Sequence, residues 1–210
     1  MKDLIIIGGG GFAKEIIWLA NDCNRKVKGV LDDSVQTHNI QVQGATVLGD
    51  VSSWVNYKDC EFIIAIGSPR TRQKVLDKML TFGEPDFATL IHPSVRFSNT
   101  VSIGEGSIIC AGSILTADIS LGKHNILNLN VTVGHECEFA DYVTIAPMVA
   151  VSGNVKLHHL VEVGTGAVIR QGLNLAEGSM LGMGGILTKN IPERMIYAGN
   201  PAKKLKEIVE

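Results

Sequence analysis

The sequence predicts two domains, a small α/β domain followed by a three-sided parallel β-solenoid. Three observations lead to this prediction. A six-residue repeat runs through the second half of the chain, and a glycine-rich turn joins the first strand to the first helix. Aromatic residues make up only 5% of the 210 residues, although hydrophobic residues make up 45%. We place the α/β domain at residues 1–90 and the solenoid at residues 91–210.

The repeat is a column of large apolar residues. Every sixth residue from Phe97 to Leu187 is apolar without interruption, and the column two residues earlier is mostly small or β-branched. Two inward residues at a spacing of two describe a short strand with one buried face, whereas a helix requires a period of 3.6. Three such strands give a coil of about 18 residues, with a small residue after each large apolar one forming the corner. The narrow interior excludes rings at most positions, which explains the low aromatic content.

The N-terminal domain shows no six-residue register. We expect strands at Leu4–Ile7, Val27–Leu31 and Phe62–Ile66, with helices over Lys14–Ala20 and residues 71–80. Strands that alternate with helices predict a parallel sheet.

Glycines follow the first strand in the pattern Gly8-x-Gly10-x-x-Ala13, which matches the dinucleotide-binding fingerprint. Such glycines let the backbone approach a diphosphate, and the following helix N-terminus favours its negative charge. Asp32 lies about 20 residues on, where an acid meets a ribose hydroxyl. The strand ends share one edge of a parallel sheet, so we expect a nucleotide there; a tight turn without ligand is the alternative.

One histidine stands out in the solenoid. His135 follows Gly134 at a predicted corner and precedes Glu136, whose carboxylate would hold the tautomer and stabilise the imidazolium of a general base. Gly153 comes one coil later, so stacking places a residue without a side chain beside His135. Its backbone N–H is a candidate oxyanion donor. An exposed corner histidine without chemistry is the alternative.

The composition argues against several partners. With a net charge of -2 we expect no nucleic-acid binding, and without an 18-residue apolar run we expect no membrane span. The four cysteines form no CxxC pair, and Cys137 falls in the inward small column. We therefore expect a cytoplasmic protein without a covalent acyl-cysteine.

The repeat resembles the left-handed β-helix of hexapeptide-repeat acyltransferases, and that resemblance alone implies the left hand. A short α/β domain before such a solenoid resembles the bacterial nucleotide-sugar acetyltransferases of the PglD and NeuD group. The resemblance covers essentially the whole chain. It implies a homotrimer that transfers acetyl from acetyl-CoA to a nucleotide-linked amino sugar, with a 4-amino-6-deoxy sugar favoured. Hydroxyl acetylation of a sugar such as sialic acid is the alternative within this group.

The resemblance also implies roles for individual residues. His135 would be the base and Glu136 its partner. Thr144 stands where several relatives carry a second histidine that contacts the acetyl carbonyl, and its hydroxyl can also donate. Nucleotide contacts would be made by Gly8, Gly10, Gly11, Asp32, Asp33, Gly67 and Arg70. Coenzyme A contacts would be made by Thr165, Gly182, Gly184, Lys189 and Lys203.

Other classes of function stay open at this point. The glycine fingerprint also suits a nicotinamide-binding oxidoreductase, although about 90 residues is half the usual sheet. A non-catalytic scaffold would leave the pairing of His135 with Glu136 unexplained. The adjacent His158 and His159 suggest metal, but solenoid carbonic anhydrases use three histidines across a subunit interface, so we expect none. Finally, we expect Lys203–Glu210 to cap the solenoid as a short helix.

Overall fold

The computed structural model describes residues 1–34 and 40–209, which form two compact units, Met1–Pro93 and Ser94–Glu210. In the first unit the sheet order is β3-β4-β2-β1-β5, with β3 antiparallel to β4 and the other neighbours parallel. A 3-10 helix follows β4, and β6 lies near the end of the unit. The bounds are β1 (Leu4–Ile7), α1 (Gly11–Asp22), β2 (Val27–Leu31), β3 (Gln41–Val42), β4 (Ala45–Gly49), the 3-10 helix (Val51–Tyr57), β5 (Glu61–Ile64), α2 (Pro69–Leu80) and β6 (Leu90–Ile91).

The core of this unit includes the interior strand β1, which lies between β2 and β5 and whose four residues are fully buried. A parallel strand covered on both faces reads as a continuous apolar run, and this makes β1 recognisable from sequence. Strands β3 and β4 were not predicted. Their turn has φ of 48° at Gln43 and 83° at Gly44, the two positive values of a tight hairpin turn. The Gln-Gly dipeptide was the signal available in the sequence.

The second unit is a parallel β-helix in which strands up to Leu187 pair with strands 18 residues away, as Leu115 pairs with Val133. Its strands form three sheets, which we call face 1, face 2 and face 3. Face 1 contains β7 (Arg96–Phe97), β10 (Ile114–Leu115), β13 (Thr132–Val133), β16 (Ala150–Val151), β19 (Val168–Ile169) and β22 (Ile186–Leu187). Face 2 contains β8 (Ser102–Ile103), β11 (Ser120–Leu121), β14 (Glu138–Phe139), β17 (Lys156–Leu157) and β20 (Asn174–Leu175). Face 3 includes β9 (Ile108–Ile109), β12 (Ile126–Leu127), β15 (Thr144–Ile145), β18 (Glu162–Val163), β21 (Met180–Leu181), β23 (Met195–Ala198) and β24 (Lys203–Glu207).

The six-residue period predicted the interior. The large apolar column is buried from Leu115 to Leu187, while Phe97 at its start is 46% exposed. Phe139 shows that the interior accepts a ring at one position, since its side chain is 3% exposed.

The corners turn at a different residue from the one predicted. The left-handed residue comes three positions after the large apolar one, as in Glu136 with φ of 59° after Val133. The small residue directly after the apolar one serves another purpose. A Cβ on Gly134 would lie 2.6 Å from the backbone nitrogen of Gly153, so this column is small because the next coil passes close by.

The predicted C-terminal helix is wrong. Lys203–Glu207 forms β24, which pairs antiparallel with β23. The turn between them contains Gly199 with φ of 94°, and it returns the chain to the free edge of β23. That edge provides hydrogen-bond partners that an isolated short helix would lack. Lysines on β24 then protect the new edge from further pairing. Within residues 1–34 and 40–209, no helix is both long and apolar enough to cross a bilayer.

Candidate functional site

The most distinctive site in the solenoid lies where the chain passes from face 1 to face 2, which we call the 1–2 corner. His135 follows β13 there, with 66% of its side chain exposed. Its Nδ1 lies 2.9 Å from Oε2 of Glu136. In the neutral imidazole, Nδ1 is the nitrogen that donates to an ionised Glu136, since a carboxylate can only accept, and Nε2 then keeps its lone pair. The arrangement therefore presents a basic nitrogen to solvent.

The next coil leaves space for this imidazole. A Cβ on Gly153 would lie 2.6 Å from Nε2 of His135, closer than any ordinary contact. The coils are held in register by the N–H of Asn154, which donates to the His135 carbonyl at 2.7 Å. Within the described part of the chain, the N–H of Gly153 donates to no backbone carbonyl. The stacking of His135 on Gly153 follows directly from the 18-residue coil.

Cys137 lies directly inside this corner and is fully buried. Its Sγ donates to the carbonyl of Ser152 at 3.2 Å. Burial raises the pKa of the Cys137 thiol, which disfavours the thiolate needed for nucleophilic attack. The prediction that Cys137 is a core residue is confirmed.

The residues predicted to contact the acyl donor are distributed over the solenoid. Lys189 follows β22 and is exposed at the same 1–2 corner as His135. Thr165, Gly182 and Gly184 lie at the corner between face 3 and face 1, which we call the 3–1 corner. Gly184 has φ of 63°, so the turn itself accounts for this glycine.

Two of the predicted residues lie elsewhere. Thr144 begins β15 on face 3 and is 9% exposed. In a three-sided coil, face 3 is the side opposite the 1–2 corner, so one chain does not bring Thr144 to His135. Lys203 is exposed at the start of β24.

The predicted nucleotide residues meet at one edge of the first unit. Gly8 has φ of 99°, and a Cβ there would lie 2.9 Å from Cγ1 of Ile66 in the loop after β5. A Cβ on Gly10 or Gly11 would meet nothing within 4 Å. Gly10 caps α1 without a side-chain hydrogen bond. An open helix N-terminus with small residues around it is suited to an anion.

Two carboxylates end β2 at the same edge, and both contact the protein. Oδ2 of Asp32 accepts the N–H of Gly9 at 2.5 Å, so Asp32 holds the glycine turn. Asp33 accepts the N–H of Val51 at 3.0 Å and both its oxygens lie 2.8 Å from Nζ of Lys78. Asp33 therefore joins β2 to the 3-10 helix and to α2.

The loop after β5 completes this edge. Ser68 caps α2 by accepting the N–H of Thr71, and Arg70 is half-buried on the first turn. Gly67 is half-buried, and its carbonyl accepts from Arg72. The sequence did not predict a role for Arg72, which is buried behind the loop. An arginine at the fourth position of a helix that follows a strand and a loop only weakly indicates such a position.

The histidine pair makes separate contacts. Nε2 of His158 lies 2.7 Å from Oδ1 of Asn174, while the His159 ring meets Tyr142 edge-on at 5.3 Å. Within residues 1–34 and 40–209, no group of three or more metal-ligating side chains is assembled.

Comparison with known proteins gives consistent relatives. The family described as the PglD N-terminal domain matches residues 3–79. A GDP-perosamine N-acetyltransferase of Escherichia coli O157:H7 is 32% identical over 214 residues, covering 96% of this chain and 95% of the relative.

Solved structures agree over nearly the whole chain. Perosamine N-acetyltransferase from Caulobacter crescentus, in complex with CoA and GDP-perosamine, has a TM-score of 0.90 at 28% identity and covers 99% of this chain and 98% of that one. The acetyltransferase domain of PglB from Neisseria gonorrhoeae FA1090, in complex with acetyl coenzyme A, has a TM-score of 0.90 at 31% identity and covers 97% and 99%. These likenesses confirm the predicted α/β domain and left-handed β-helix.

Proposed function

Because the chain belongs to the PglD-type family of nucleotide-sugar N-acetyltransferases, we propose that it acetylates the amino group of a nucleotide-linked amino sugar with acetyl-CoA. The observation that carries the chemistry is the 2.9 Å contact between Nδ1 of His135 and Glu136, which leaves Nε2 free over Gly153. A 4-amino-6-deoxy sugar is the favoured acceptor, supported by the perosamine acetyltransferases among the relatives and the solved structures.

His135 acts as the general base in this proposal. The acceptor amine attacks the thioester carbonyl, and Nε2 removes the proton that the nitrogen loses. Glu136 stabilises the resulting imidazolium because its carboxylate holds the Nδ1 proton. When the tetrahedral intermediate collapses, the C–S bond breaks and the imidazolium returns the proton to the CoA thiolate.

The Gly153 N–H is the proposed donor to the oxyanion of that intermediate. It belongs to the coil that stacks on His135, and the missing side chain leaves room for the imidazole beside this donor. Preorganised backbone donors of this kind stabilise charge that develops only during the reaction.

The donor site draws on more than one copy of the chain in our proposal, as a homotrimer provides. His135 and Lys189 lie at the 1–2 corner, while Thr165, Gly182 and Gly184 lie at the 3–1 corner and Thr144 on face 3. Face 1 also exposes Ile114 and Val168, which are 42% and 40% accessible. Packing the three-sided solenoid of one copy against that of the next would cover such side chains. It would also bring the 1–2 corner of one copy to another face of its neighbour.

We place the nucleotide at the edge formed by Gly8, Gly10, Gly11, Gly67 and Arg70. The open N-terminus of α1 supports a diphosphate there. Asp32 and Asp33 border this edge. In our proposal the enzyme works in the cytoplasm, where free cysteines persist and acetyl-CoA is made available.

The test is thiol release from acetyl-CoA over a panel of nucleotide-linked amino sugars. We expect His135→Ala to keep its fold and its sedimentation as a trimer but to lose about 10² in kcat, the usual contribution of a general base. His158→Ala is the matched control, since this histidine is also exposed on the solenoid and has no role in the proposal. Near-normal thiol release by His135→Ala would disprove the assignment, and a monomeric wild-type enzyme with full activity would disprove the trimer.

A further inference from the structure

A buried arginine lies behind the nucleotide edge of the first unit. Arg72 is on the first turn of α2 and is only 1% exposed. Its Nη1 donates to the carbonyl of Ile66 at 2.7 Å and to that of Gly67 at 3.1 Å. Side chains on a helix lean toward its N-terminus, and this lean carries the guanidinium back to the loop after β5.

This position is costly for a cation. The N-terminus of a helix carries a partial positive charge, so it favours anions and disfavours a neighbouring guanidinium. Burial adds a desolvation penalty, and the carbonyls of Ile66 and Gly67 compensate part of it. A charge buried at this edge is also weakly screened by salt, so it acts strongly on an anion that binds nearby.

The two hydrogen bonds of Arg72 also set the direction of two peptide groups. In a trans peptide the C=O and the following N–H point in opposite directions. Because the carbonyls of Ile66 and Gly67 both point to the guanidinium, the N–H groups of Gly67 and Ser68 point away from it. Arg72 therefore determines on which side of the loop the backbone N–H donors lie.

The loop held by Arg72 contacts the glycine turn directly. β1 pairs with β5, with Ile7 opposite Ile64, so the loops that follow these strands start side by side. A Cβ on Gly8 would lie 2.9 Å from Cγ1 of Ile66. A shift of the Ile66 peptide would thus move the Ile66 side chain against which the glycine turn packs.

We propose that Arg72 is a positioning residue for the diphosphate of the nucleotide sugar. It acts through the loop after β5 by fixing two peptide groups, and through space by adding a buried positive charge. The inference rests on the proposed function, because it takes a nucleotide sugar as the ligand.

The test compares Arg72→Met with Lys74→Met, a control that removes an exposed charge from the same helix. Binding of GDP and GMP, with UDP and UMP in parallel, is measured by titration calorimetry. For the diphosphate that wild type binds, we expect Arg72→Met to raise Kd about tenfold or more, the scale of a hydrogen bond to a charged group. We expect a smaller effect on the monophosphate and a raised KM for the nucleotide sugar. The salt dependence of diphosphate binding should stay nearly unchanged, because the buried charge is weakly screened. The KM for acetyl-CoA and the saturated kcat should stay within about twofold.

A merely structural role would give a different pattern. If Arg72→Met lowers activity only in proportion to its folded fraction, with Kd for the diphosphate unchanged, the proposal is wrong. If Arg72→Met does not fold, Arg72→Gln decides, because it removes the charge and shortens the donor while leaving a polar side chain beside the loop; an unchanged Kd there overturns the proposal. A wild-type enzyme that releases thiol with an amino sugar yet binds no nucleoside diphosphate would overturn it and leave acetyl transfer standing.

Discussion

The close stacking of Gly153 on His135 predicts what a methyl group added at position 153 would do. In Gly153→Ala the new Cβ would lie 2.6 Å from Nε2 of His135, whereas ordinary contacts begin near 3.4 Å. The imidazole must therefore move by about 0.8 Å or rotate away. The backbone at Gly153 is outside the left-handed region, so alanine brings no backbone strain there.

We expect Gly153→Ala to lower kcat about 100-fold, since a displacement of about 1 Å at a reacting group costs a factor of this size. The stability should change little, because His135 is exposed and its ring can swing into solvent. The assay is thiol release under saturating acetyl-CoA and amino sugar, with thermal unfolding measured on the same samples. Gln171→Ala, at the same corner one coil further on, is the control.

A double-mutant cycle shows whether the effect passes through the imidazole. In a His135→Ala background the added methyl group meets no ring, so Gly153→Ala should cost little more activity. Fully multiplicative losses would refute the reasoning and would show that the methyl group acts elsewhere, for example by blocking substrate. Wild-type kcat in Gly153→Ala would refute it equally.

Three further predictions concern the neighbours of His135. Glu136→Gln should lower kcat with little change in either KM, by less than His135→Ala does, because the amide no longer stabilises the imidazolium; unchanged kcat would exclude Glu136 from the mechanism. Cys137→Ala should retain acetyl transfer, and its loss would revive an acyl-cysteine. Burial raises the pKa of the Cys137 thiol above its usual 9.0, so the native state keeps a proton that the unfolded chain releases. The associated stability is complete below pH 9 and declines as pH rises above it. The unfolding free energy of Cys137→Ala should therefore fall less than that of wild type between about pH 8.5 and pH 10, measured by urea denaturation.

Much of the solenoid could be predicted because its information is local. The period of six sets which side chains point inward, and the coil of three sides then places Gly153 against His135. The pairing of His135 with Glu136 needs no distant contact, since the residues are adjacent in the chain. The turning residue was missed, although the column three positions after the large apolar residue is rich in glycine and asparagine, for example Gly166 and Asn130. Glu136 adopts the same left-handed φ because the coil geometry requires it and not because of its residue type.

The nucleotide edge was less predictable, because its residues interact across long stretches of sequence. Asp32 lies 23 residues from Gly9, and Asp33 lies 45 residues from Lys78, yet each pair is in contact. The strand order required for these contacts is a property of the folded sheet. The pattern of glycines and acids predicted where this edge lies. It predicted contacts of the two acids with a ligand, and it did not predict their contacts with the protein.

The amino-acid sequence by itself determined the two-domain architecture, the coil length and the His135 corner, because side-chain alternation and stacking repeat over short distances. Only the tertiary structure decided where groups from separate segments meet. Arg72 turns back to the carbonyls of Ile66 and Gly67, and Lys203–Glu207 joins the edge of β23. Both contacts depend on hydrogen-bond partners that come close only when the sheets have formed. Buried backbone groups and buried charges must be paired, so they form hydrogen bonds with the groups that the folded chain brings next to them.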